Sequence, residues 1–193
     1  MKTIAWALQA VIAAFDKLEI RYAVGGSVAS SLHGHYRFTN NVDFLVELRA
    51  NHIEEFVKLL GPEFYADADM MRESFSLGRP CNLIHMKSGF KFDLFPAFRE
   101  SFSDSQLNRR TFEISDFLGE PIEFAVTSAE DVLLSKLRWY RLGGESSEQQ
   151  WKDVLGIVSV HGSRLDRAYL QHWATDLGVD DLLVRLIREK GEG

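Results

Sequence analysis

Three consecutive residues, Gly25, Gly26 and Ser27, have the composition of a phosphate-binding turn. They follow a β-prone segment at 21–24 and precede a helix of small residues that we expect to end at Gly34. Without Cβ atoms the backbone can turn sharply, so its N–H groups and the serine hydroxyl can approach an anion at the helix N-terminus. Two glycines at such a place can also form only a turn. The segment therefore predicts an anion site that needs support from other residues.

Three residues whose side chains carry oxygen ligands, Asn41, Asp43 and Asp93, lie in two predicted strands. Because side chains alternate along a strand, Asn41 and Asp43 leave the same face of the segment 41–47, about 6.6 Å apart. Asp93 lies in the segment 90–95 among mostly apolar neighbours, where an ionised carboxylate without a partner would be costly. A metal ion is one compensation, and hard oxygen ligands hold Mg²⁺ in sites of phosphoryl transfer. The three residues therefore predict a divalent-cation site.

Hydrophobic patterning predicts the elements that position these residues. Apolar residues recur at helical spacing over about 3–18 and again over 51–60. We expect strands at 21–24, 41–47, 82–86, 90–95, 111–115 and 121–126. From Ser128 onward the pattern is helical, with helices expected at 128–143, 147–160, 166–177 and 180–190. These patterns predict an α+β fold with a mixed sheet, residues 1–126, followed by a helical C-terminal region, residues 127–193, packed on it.

Composition excludes several classes of protein. The 193 residues are 46% hydrophobic and 26% charged, which excludes disordered, collagenous and disulfide-rich chains. With 22 Lys and Arg against 28 Asp and Glu, the net charge of −6 excludes binding of nucleic acid through the overall charge of the protein, so any nucleotide contact must be local.

A single cysteine, Cys81, can form neither an internal disulfide nor a thiolate metal site, and we expect a cytoplasmic protein. We expect no membrane association, because no apolar run reaches the ~18 residues of a membrane span, and we assign the apolar stretch at 4–15 to a helix rather than a secretory leader.

These motifs together resemble a known family, the nucleotidyltransferases of the DNA polymerase β superfamily. The resemblance is to its small prokaryotic members of the AbiEii-like and toxin–antitoxin-associated kind. It rests on Gly25-Gly26-Ser27, His33-Gly34, Arg37-x-Thr39, Asn41-Val42-Asp43-Phe44 and Asp93. In the helical region, Glu130-Asp131, Lys136-Leu137 and Lys152-Asp153-Val154 are also similar to motifs of these proteins, so that the resemblance spans about residues 20–160.

The resemblance implies a polymerase β-like nucleotidyltransferase fold and a Mg²⁺- or Mn²⁺-dependent transfer of a nucleoside monophosphate from an NTP to an acceptor. The acceptor can be a protein side chain, an RNA end or a small molecule. Carried over residue by residue, the implied nucleotide contacts are Gly25, Gly26, Ser27, Arg37 and Lys136. The implied metal ligands are Asn41, Asp43 and Asp93, with Asp43 and Asp93 catalytic and Asp93 the candidate base.

Position 41 departs from the pattern of this family, which has an aspartate there. An amide oxygen can coordinate Mg²⁺ but carries no charge, and the loss of even an outer partner of a metal ligand costs about 10–100-fold. Two hypotheses follow. The first is a nucleotidyltransferase impaired by Asn41. The alternative is a catalytically inactive nucleotidyltransferase fold that binds an NTP or a partner as an antitoxin-like or regulatory module.

Several other polar and aromatic residues allow two interpretations. His33 and His35 fit helix-end or solvated groups better than metal ligands. Arg37 can anchor its own loop or contact phosphate. Lys152 and Asp153 can be a surface pair. The aromatic residues of the helical region fit packing better than stacking on a base: Trp139, Tyr140 and Trp151.

Overall fold

The computed structural model describes residues 3–37, 39–97, 100–116 and 118–191. The chain forms two compact units, each described here by itself. Unit 1 consists of Met1–Val24 and Thr39–Val126, and unit 2 of Gly25–Phe38 and Thr127–Gly193. The division into domains at 126/127 stays a prediction. The compact units group the segment 25–38 with the residues that follow Val126.

A mixed sheet of seven strands forms the centre of unit 1 within the described residues. In chain order its strands are β1 (Tyr22–Val24), β2 (Asn41–Val46), β3 (Phe64–Tyr65), β4 (Cys81–His85), β5 (Phe90–Pro96), β6 (Thr111–Ser115) and β7 (Ile122–Val126). They are arranged as β3-β4-β5-β2-β1-β7-β6. The β2–β5 and β1–β7 pairs are parallel, whereas the other neighbours are antiparallel.

Helices occupy most of the remaining described chain. They are α1 (Ile4–Lys17), α2 (Gly26–His33), α3 (Ile53–Leu60), α4 (Ala68–Ser76), α5 (Ser101–Arg109), α6 (Ala129–Leu142), α7 (Glu148–His161), α8 (Arg167–Asp176) and α9 (Asp180–Gly191). Two short 3-10 helices span Gly61–Glu63 and Gly162–Arg164. None of the described helices is long and apolar enough to cross a membrane.

An aromatic core fixes one face of the sheet in unit 1. The ring of Phe15 on α1 stacks on Phe56 of α3 at 5.1 Å and meets the edge of Phe44 on β2 at 5.3 Å. Phe44 also contacts Tyr22 and Phe92 on the neighbouring strands. Side chains of β2 alternate between this buried core and a less buried face. The alternation leaves the polar residues of β2 on the face opposite the aromatic core.

Helix caps and buried acids organise the helices of unit 2. α6 begins after Ser128, whose hydroxyl accepts the backbone N–H of Asp131 at 3.2 Å. The buried carboxylate of Asp131 in turn accepts the hydroxyl of Tyr169 at 2.6 Å. The carboxylate of Glu130 accepts the backbone N–H of Asp166 at 2.9 Å. These acids therefore bind α6 to the start of α8.

The predicted α+β class with a mixed sheet is confirmed. Each predicted strand and helix is present, with boundaries shifted by one or two residues at most positions. Within the described residues the structure adds five elements that the sequence patterns did not predict: β3, α4, α5 and the two short 3-10 helices.

Candidate functional site

Two predicted site residues, Asp43 and Asp93, lie side by side in unit 1. β2 and β5 are parallel neighbours, and Asp43 is directly paired with Asp93 across them. Both residues are half-buried and belong to the less buried face of their strands. Neighbouring strands are about 4.8 Å apart, so two carboxylates in register on one face are close neighbours. The structure thus brings together the two carboxylates that the sequence patterns placed on separate strands.

The side-chain amide of Asn41 bridges these two carboxylates. Its Nδ2 donates to Oδ1 of Asp43 at 3.0 Å and to Oδ2 of Asp93 at 2.7 Å. The hydroxyl of Thr39 lies 3.1 Å from Oδ1 of Asn41 and donates to it, which fixes the orientation of the amide. The amide NH₂ therefore supplies one hydrogen to each carboxylate, and it partly offsets their mutual repulsion.

The donor set is compatible with a divalent cation, but it is poor in charge. Asp43, Asp93 and the amide oxygen of Asn41 are hard oxygen ligands, the type that Mg²⁺ and Mn²⁺ prefer. To offer its oxygen, the amide must turn over and give up the hydrogen bond from Thr39. Among the described residues there is no group of three His, Cys, Asp or Glu that could hold a metal ion. Two carboxylates and one neutral ligand therefore fit a weakly held cation.

The thiol of Cys81 on β4 does not contribute to this chemistry. Burial, followed by the negative charge of Asp93, raises the pKa of Cys81 to about 12. A thiol with this pKa stays protonated at neutral pH and is neither a nucleophile nor a metal ligand.

The predicted phosphate-binding turn opens α2 in unit 2. Gly26 has φ +55°, a left-handed conformation that glycine adopts readily and side-chain-bearing residues do not. A Cβ atom on Gly25 would meet nothing within 4 Å. The first turn of α2 carries no acidic residue, so no side-chain carboxylate within that turn opposes the positive end of the helix dipole. These features are compatible with an anion at the helix start, and the phosphate contact of the turn stays a prediction.

Arg37 lies at this turn and anchors its own loop, whereas its contact with phosphate stays a prediction. Its guanidinium donates to the hydroxyl of Ser27, and its backbone N–H donates to the hydroxyl of Ser31 at 3.2 Å. Its Nε is 3.6 Å from a carboxylate oxygen of Asp153 on α7. Arg37 thus anchors its own loop and also brings a positive charge to Ser27.

Lys136 forms a buried ion pair in the same unit. Its Nζ donates to Oδ2 of Asp153 at 2.6 Å, and both side chains are only 6% exposed. Gln149 donates to the other oxygen of Asp153 at 2.8 Å. The interpretation of Asp153 as a surface partner of Lys152 is therefore wrong, because Lys152 lies 3.5 Å from Glu148 instead. The phosphate contact of Lys136 stays a prediction.

Close backbone packing holds the loop before Arg37 against α7. A Cβ on Gly34 would lie 3.0 Å from the carbonyl oxygen of Ser30 and 3.1 Å from the backbone nitrogen of Ile157. A Cβ on Gly156 would lie 3.0 Å from the ring of His35. Only glycine allows both approaches without a shift of backbone or ring. The two glycines therefore help to position Arg37.

The histidine beside this loop has structural contacts. The imidazole of His33 donates through Nε2 to the carbonyl oxygen of Thr127 at 2.7 Å. It also packs edge-to-face on His161, with ring centroids 5.6 Å apart. Burial, and then the neighbouring His33, lower the pKa of His161, so its imidazole is neutral at neutral pH.

A cavity of about 790 Å³ in unit 2 borders this network. Its lining includes Tyr36, Arg37, Gln149, Lys152 and Asp153. The volume is in the range of small-molecule sites, and cationic and aromatic side chains line it.

No protein-family model matches the chain, and no curated protein sequence matches it either. Among solved structures, the antibiotic-resistance factor ANT(2'')-Ia in solution is similar at 12% identity, over 97% of this chain and 95% of that chain, with a TM-score of 0.51. The same factor in complex with adenylyl-2''-tobramycin matches at 12% identity, over 90% of this chain and 95% of that chain, with a TM-score of 0.53. An antigenic nucleotidyltransferase-like protein from Paracoccidioides brasiliensis matches at 18% identity, over 93% of this chain and 91% of that chain, with a TM-score of 0.51.

The chain has the nucleotidyltransferase fold. Identities of 12–18% establish the fold alone. The nucleotidyltransferase-like fold is the one that the glycine–serine turn and the residues at 41, 43 and 93 predicted. The assignment to AbiEii-like or toxin–antitoxin-associated members stays a prediction.

Proposed function

We propose that this protein binds an NTP together with a divalent cation and transfers the nucleoside monophosphate to an acceptor hydroxyl, with activity limited by Asn41. The observation that carries the proposal is the direct pairing of Asp43 with Asp93 on parallel strands of a nucleotidyltransferase fold. Two half-buried carboxylates in register are costly in a protein that makes no use of their charge.

The glycine–serine turn and Arg37 are the proposed triphosphate contacts. The backbone N–H groups of Gly25 and Gly26 and the hydroxyl of Ser27 would donate to phosphate oxygens. The guanidinium of Arg37, already hydrogen-bonded to Ser27, would add positive charge. The turn begins directly after Val24, a residue that pairs with Phe44 beside Asp43. In this proposal the phosphate contacts and the acidic ligands act on one substrate.

Asp43, Asp93 and the amide oxygen of Asn41 would hold the cation in this proposal. Mg²⁺ or Mn²⁺ would supply positive charge to the phosphates. The acceptor hydroxyl oxygen attacks the α-phosphorus, the bond from that phosphorus to the bridging oxygen breaks, and pyrophosphate leaves. The carboxylate of Asp93 would accept the proton of the hydroxyl. The buried Lys136, paired with Asp153, would contribute a positive charge beside Arg37.

The proposed acceptor is a hydroxyl on a small molecule, a protein or an RNA. The structure of ANT(2'')-Ia with adenylyl-2''-tobramycin supports the small-molecule class. The resemblance to toxin–antitoxin-associated proteins supports a protein or RNA acceptor in a prokaryotic cytoplasm.

The second candidate is a catalytically inactive module that binds an NTP or a protein partner, as an antitoxin-like or regulatory component. One observation favours it: the amide of Asn41 donates to both carboxylates and so compensates their charge without a cation. In this candidate the acidic pair would be a structural remnant, while the glycine–serine turn would still bind phosphate.

Calorimetric titration with each NTP in Mg²⁺ tests the phosphate contacts. We expect the natural protein to bind NTP. The double variant Gly26→Glu, Ser27→Ala should lose about tenfold or more in NTP affinity, whereas Ser146→Ala should keep the affinity of the natural protein. Ser146→Ala is the control because it removes the same hydroxyl group away from the turn: Ser146 is exposed, and its hydroxyl donates to the carbonyl oxygen of Gly143. Melting temperatures check that each variant folds, and Ser27→Ala alone avoids the strain of Glu at the positive φ of Gly26. Unchanged NTP affinity in a folded Ser27→Ala, Gly26→Glu variant would contradict the proposal.

A further inference from the structure

The edge strand β6 is an unusual surface of unit 1. β6 ends the sheet, and within the described residues it pairs with β7 on one side only. Its two large apolar side chains are exposed, Phe112 at 61% and Ile114 at 70%. An edge strand with exposed apolar side chains offers a row of backbone N–H and C=O groups and an apolar surface to another strand.

The side chains of β6 are sorted by face and by charge. Phe112 and Ile114 share one face because they are two residues apart, and Glu113 lies on the other face. Arg110 precedes the strand in an extended conformation, half-buried and with its guanidinium donating to the carbonyl oxygen of Leu107, and the exposed Asp116 follows the strand. A positive charge thus stands at one end of the apolar pair and a negative charge at the other.

This pattern is self-complementary in an antiparallel pair of identical strands. With a two-fold axis through Glu113, Phe112 of one copy lies opposite Ile114 of the other, and this pair occurs twice. Arg110 then lies opposite Asp116, also twice. Shifting the axis to Phe112 sets Arg110 against Ile114, and shifting it to Ile114 sets Phe112 against Asp116. The axis through Glu113 is the one of these three that pairs apolar with apolar and positive with negative side chains.

We propose that β6 is the interface of a homodimer, in which the β6 strands of two copies pair antiparallel about Glu113. Apolar cross-strand pairs and opposite charges each stabilise such a pairing. Glu113 opposes its own copy on the axis, and this like-charge pair weakens the dimer. A single strand pair is a small interface, so the dimer forms at high protein concentration. The proposal is independent of the nucleotide chemistry.

Sedimentation equilibrium over roughly micromolar to millimolar protein tests the interface. We expect a mass that rises from monomer towards dimer with concentration in the natural protein. Ile114→Lys should weaken the dimer tenfold or more, because it sets a charge opposite Phe112. Glu113→Gln should tighten it about threefold, because it removes the like-charge pair. Leu142→Lys is the matched control, since Leu142 is an exposed apolar residue (66%) on α6. A natural protein and a Glu113→Gln variant that both stay monomeric would overturn the proposal, and so would a dimer that Ile114→Lys leaves unchanged.

A charge exchange tests the register. Arg110→Asp places two negative charges opposite each other and should weaken the dimer, as should Asp116→Arg, which places two positive charges opposite each other. The double variant restores opposite charges and should recover the natural dimer constant within about twofold. A double variant as weak as either single variant would contradict the register.

Cysteine cross-linking tests the axis directly. Opposed Cα atoms of an antiparallel pair are about 4.5–5.5 Å apart, which is within disulfide range. Glu113→Cys should therefore form a covalent dimer in oxidised glutathione. The native Cys81 is buried with a raised pKa and should not interfere. Glu123→Cys, an exposed position on the inner strand β7, measures random collision. Equal cross-linking of the two variants would refute the pairing about Glu113.

Discussion

Asn41→Asp is the substitution that tests the acidic pair most directly. It keeps the volume of the side chain and replaces the NH₂ group by a carboxylate oxygen. The two hydrogen bonds of 3.0 Å and 2.7 Å to Asp43 and Asp93 are lost, and a third negative charge takes the place of their donor. The hydroxyl of Thr39 can still donate to the remaining oxygen, so the side chain stays in place.

The expected cost without metal follows from these contacts. A hydrogen bond to a charged group contributes about 1.5 kcal/mol at the low end, so two such bonds contribute about 3 kcal/mol. The like charges add a repulsion that protonation of one carboxyl limits. At about 3 °C per kcal/mol for a chain of this size, Asn41→Asp should melt about 9 °C below the natural protein in EDTA at neutral pH.

A divalent cation should reverse this loss. Three carboxylates attract Mg²⁺ or Mn²⁺ more strongly than two carboxylates and an amide, and a ligand that binds only the folded state raises the melting temperature. The melting temperature of Asn41→Asp should therefore rise with added metal far more than that of the natural protein. Under the proposed function, transfer of label from α-labelled NTPs to acceptors in a lysate should rise about tenfold or more.

Asn40→Asp is the matched control. Asn40 is exposed and adjacent to Asn41 along the chain, so this substitution adds the same charge without removing the donor that bridges Asp43 and Asp93. An Asn41→Asp variant that melts like the natural protein in EDTA would refute the bridging role of the amide. A variant that is destabilised, unresponsive to metal and inactive would favour the binding module over the enzyme.

Three further predictions concern other parts of the structure. Lys136→Met and Asp153→Asn should each lower the free energy of unfolding in urea by about 3 kcal/mol or more, because each leaves one buried charge without its partner. The double variant should lower it by less than the sum of the two, and additive losses would contradict a buried pair. Arg37→Ala should weaken NTP binding about tenfold in calorimetry while the protein stays folded, and unchanged affinity would remove Arg37 from the phosphate contacts. Burial raises the pKa of Cys81 and of Tyr22 to about 12, so between about pH 9 and 12 the unfolded state loses these protons more readily than the folded state. The free energy of unfolding, measured with urea, should therefore fall as the pH rises through this window. A free energy of unfolding that stays constant there would contradict the prediction.

The sequence patterns predict well where a local period decides the structure. The apolar repeat in the first helix and the alternation along β2 are local, so α1 and the shared face of Asn41 and Asp43 could be predicted. The register between β2 and β5 could not, because it depends on how two segments fifty residues apart pair. For the same reason, the sequence could indicate that Asn41 lacks a charge but not that its amide bridges two carboxylates.

Two helices, α4 and α5, and the burial of Asp153 were not predicted from the sequence. α5 is rich in Ser, Asp and Asn, which are weak helix formers, and α4 has a short buried face that consists of Met71 and Phe75. Asp153 follows Lys152 directly, so the sequence suggested a surface pair. The apolar neighbours Val154 and Ile157 gave a signal of burial, because they lie on the turn of α7 that packs inward with Asp153.

The charges of unit 2 favour NTP binding whether or not the protein is catalytically active. Asp153 is shared by Lys136 at 2.6 Å and by Arg37 at 3.6 Å, so one negative charge faces two positive ones. The surplus positive charge lies with the guanidinium that donates to Ser27, at a helix start without acidic residues. An anion at the turn would neutralise this surplus under either hypothesis. NTP binding is therefore expected both of the enzyme and of the inactive module, and the difference between them depends on the single missing charge at Asn41.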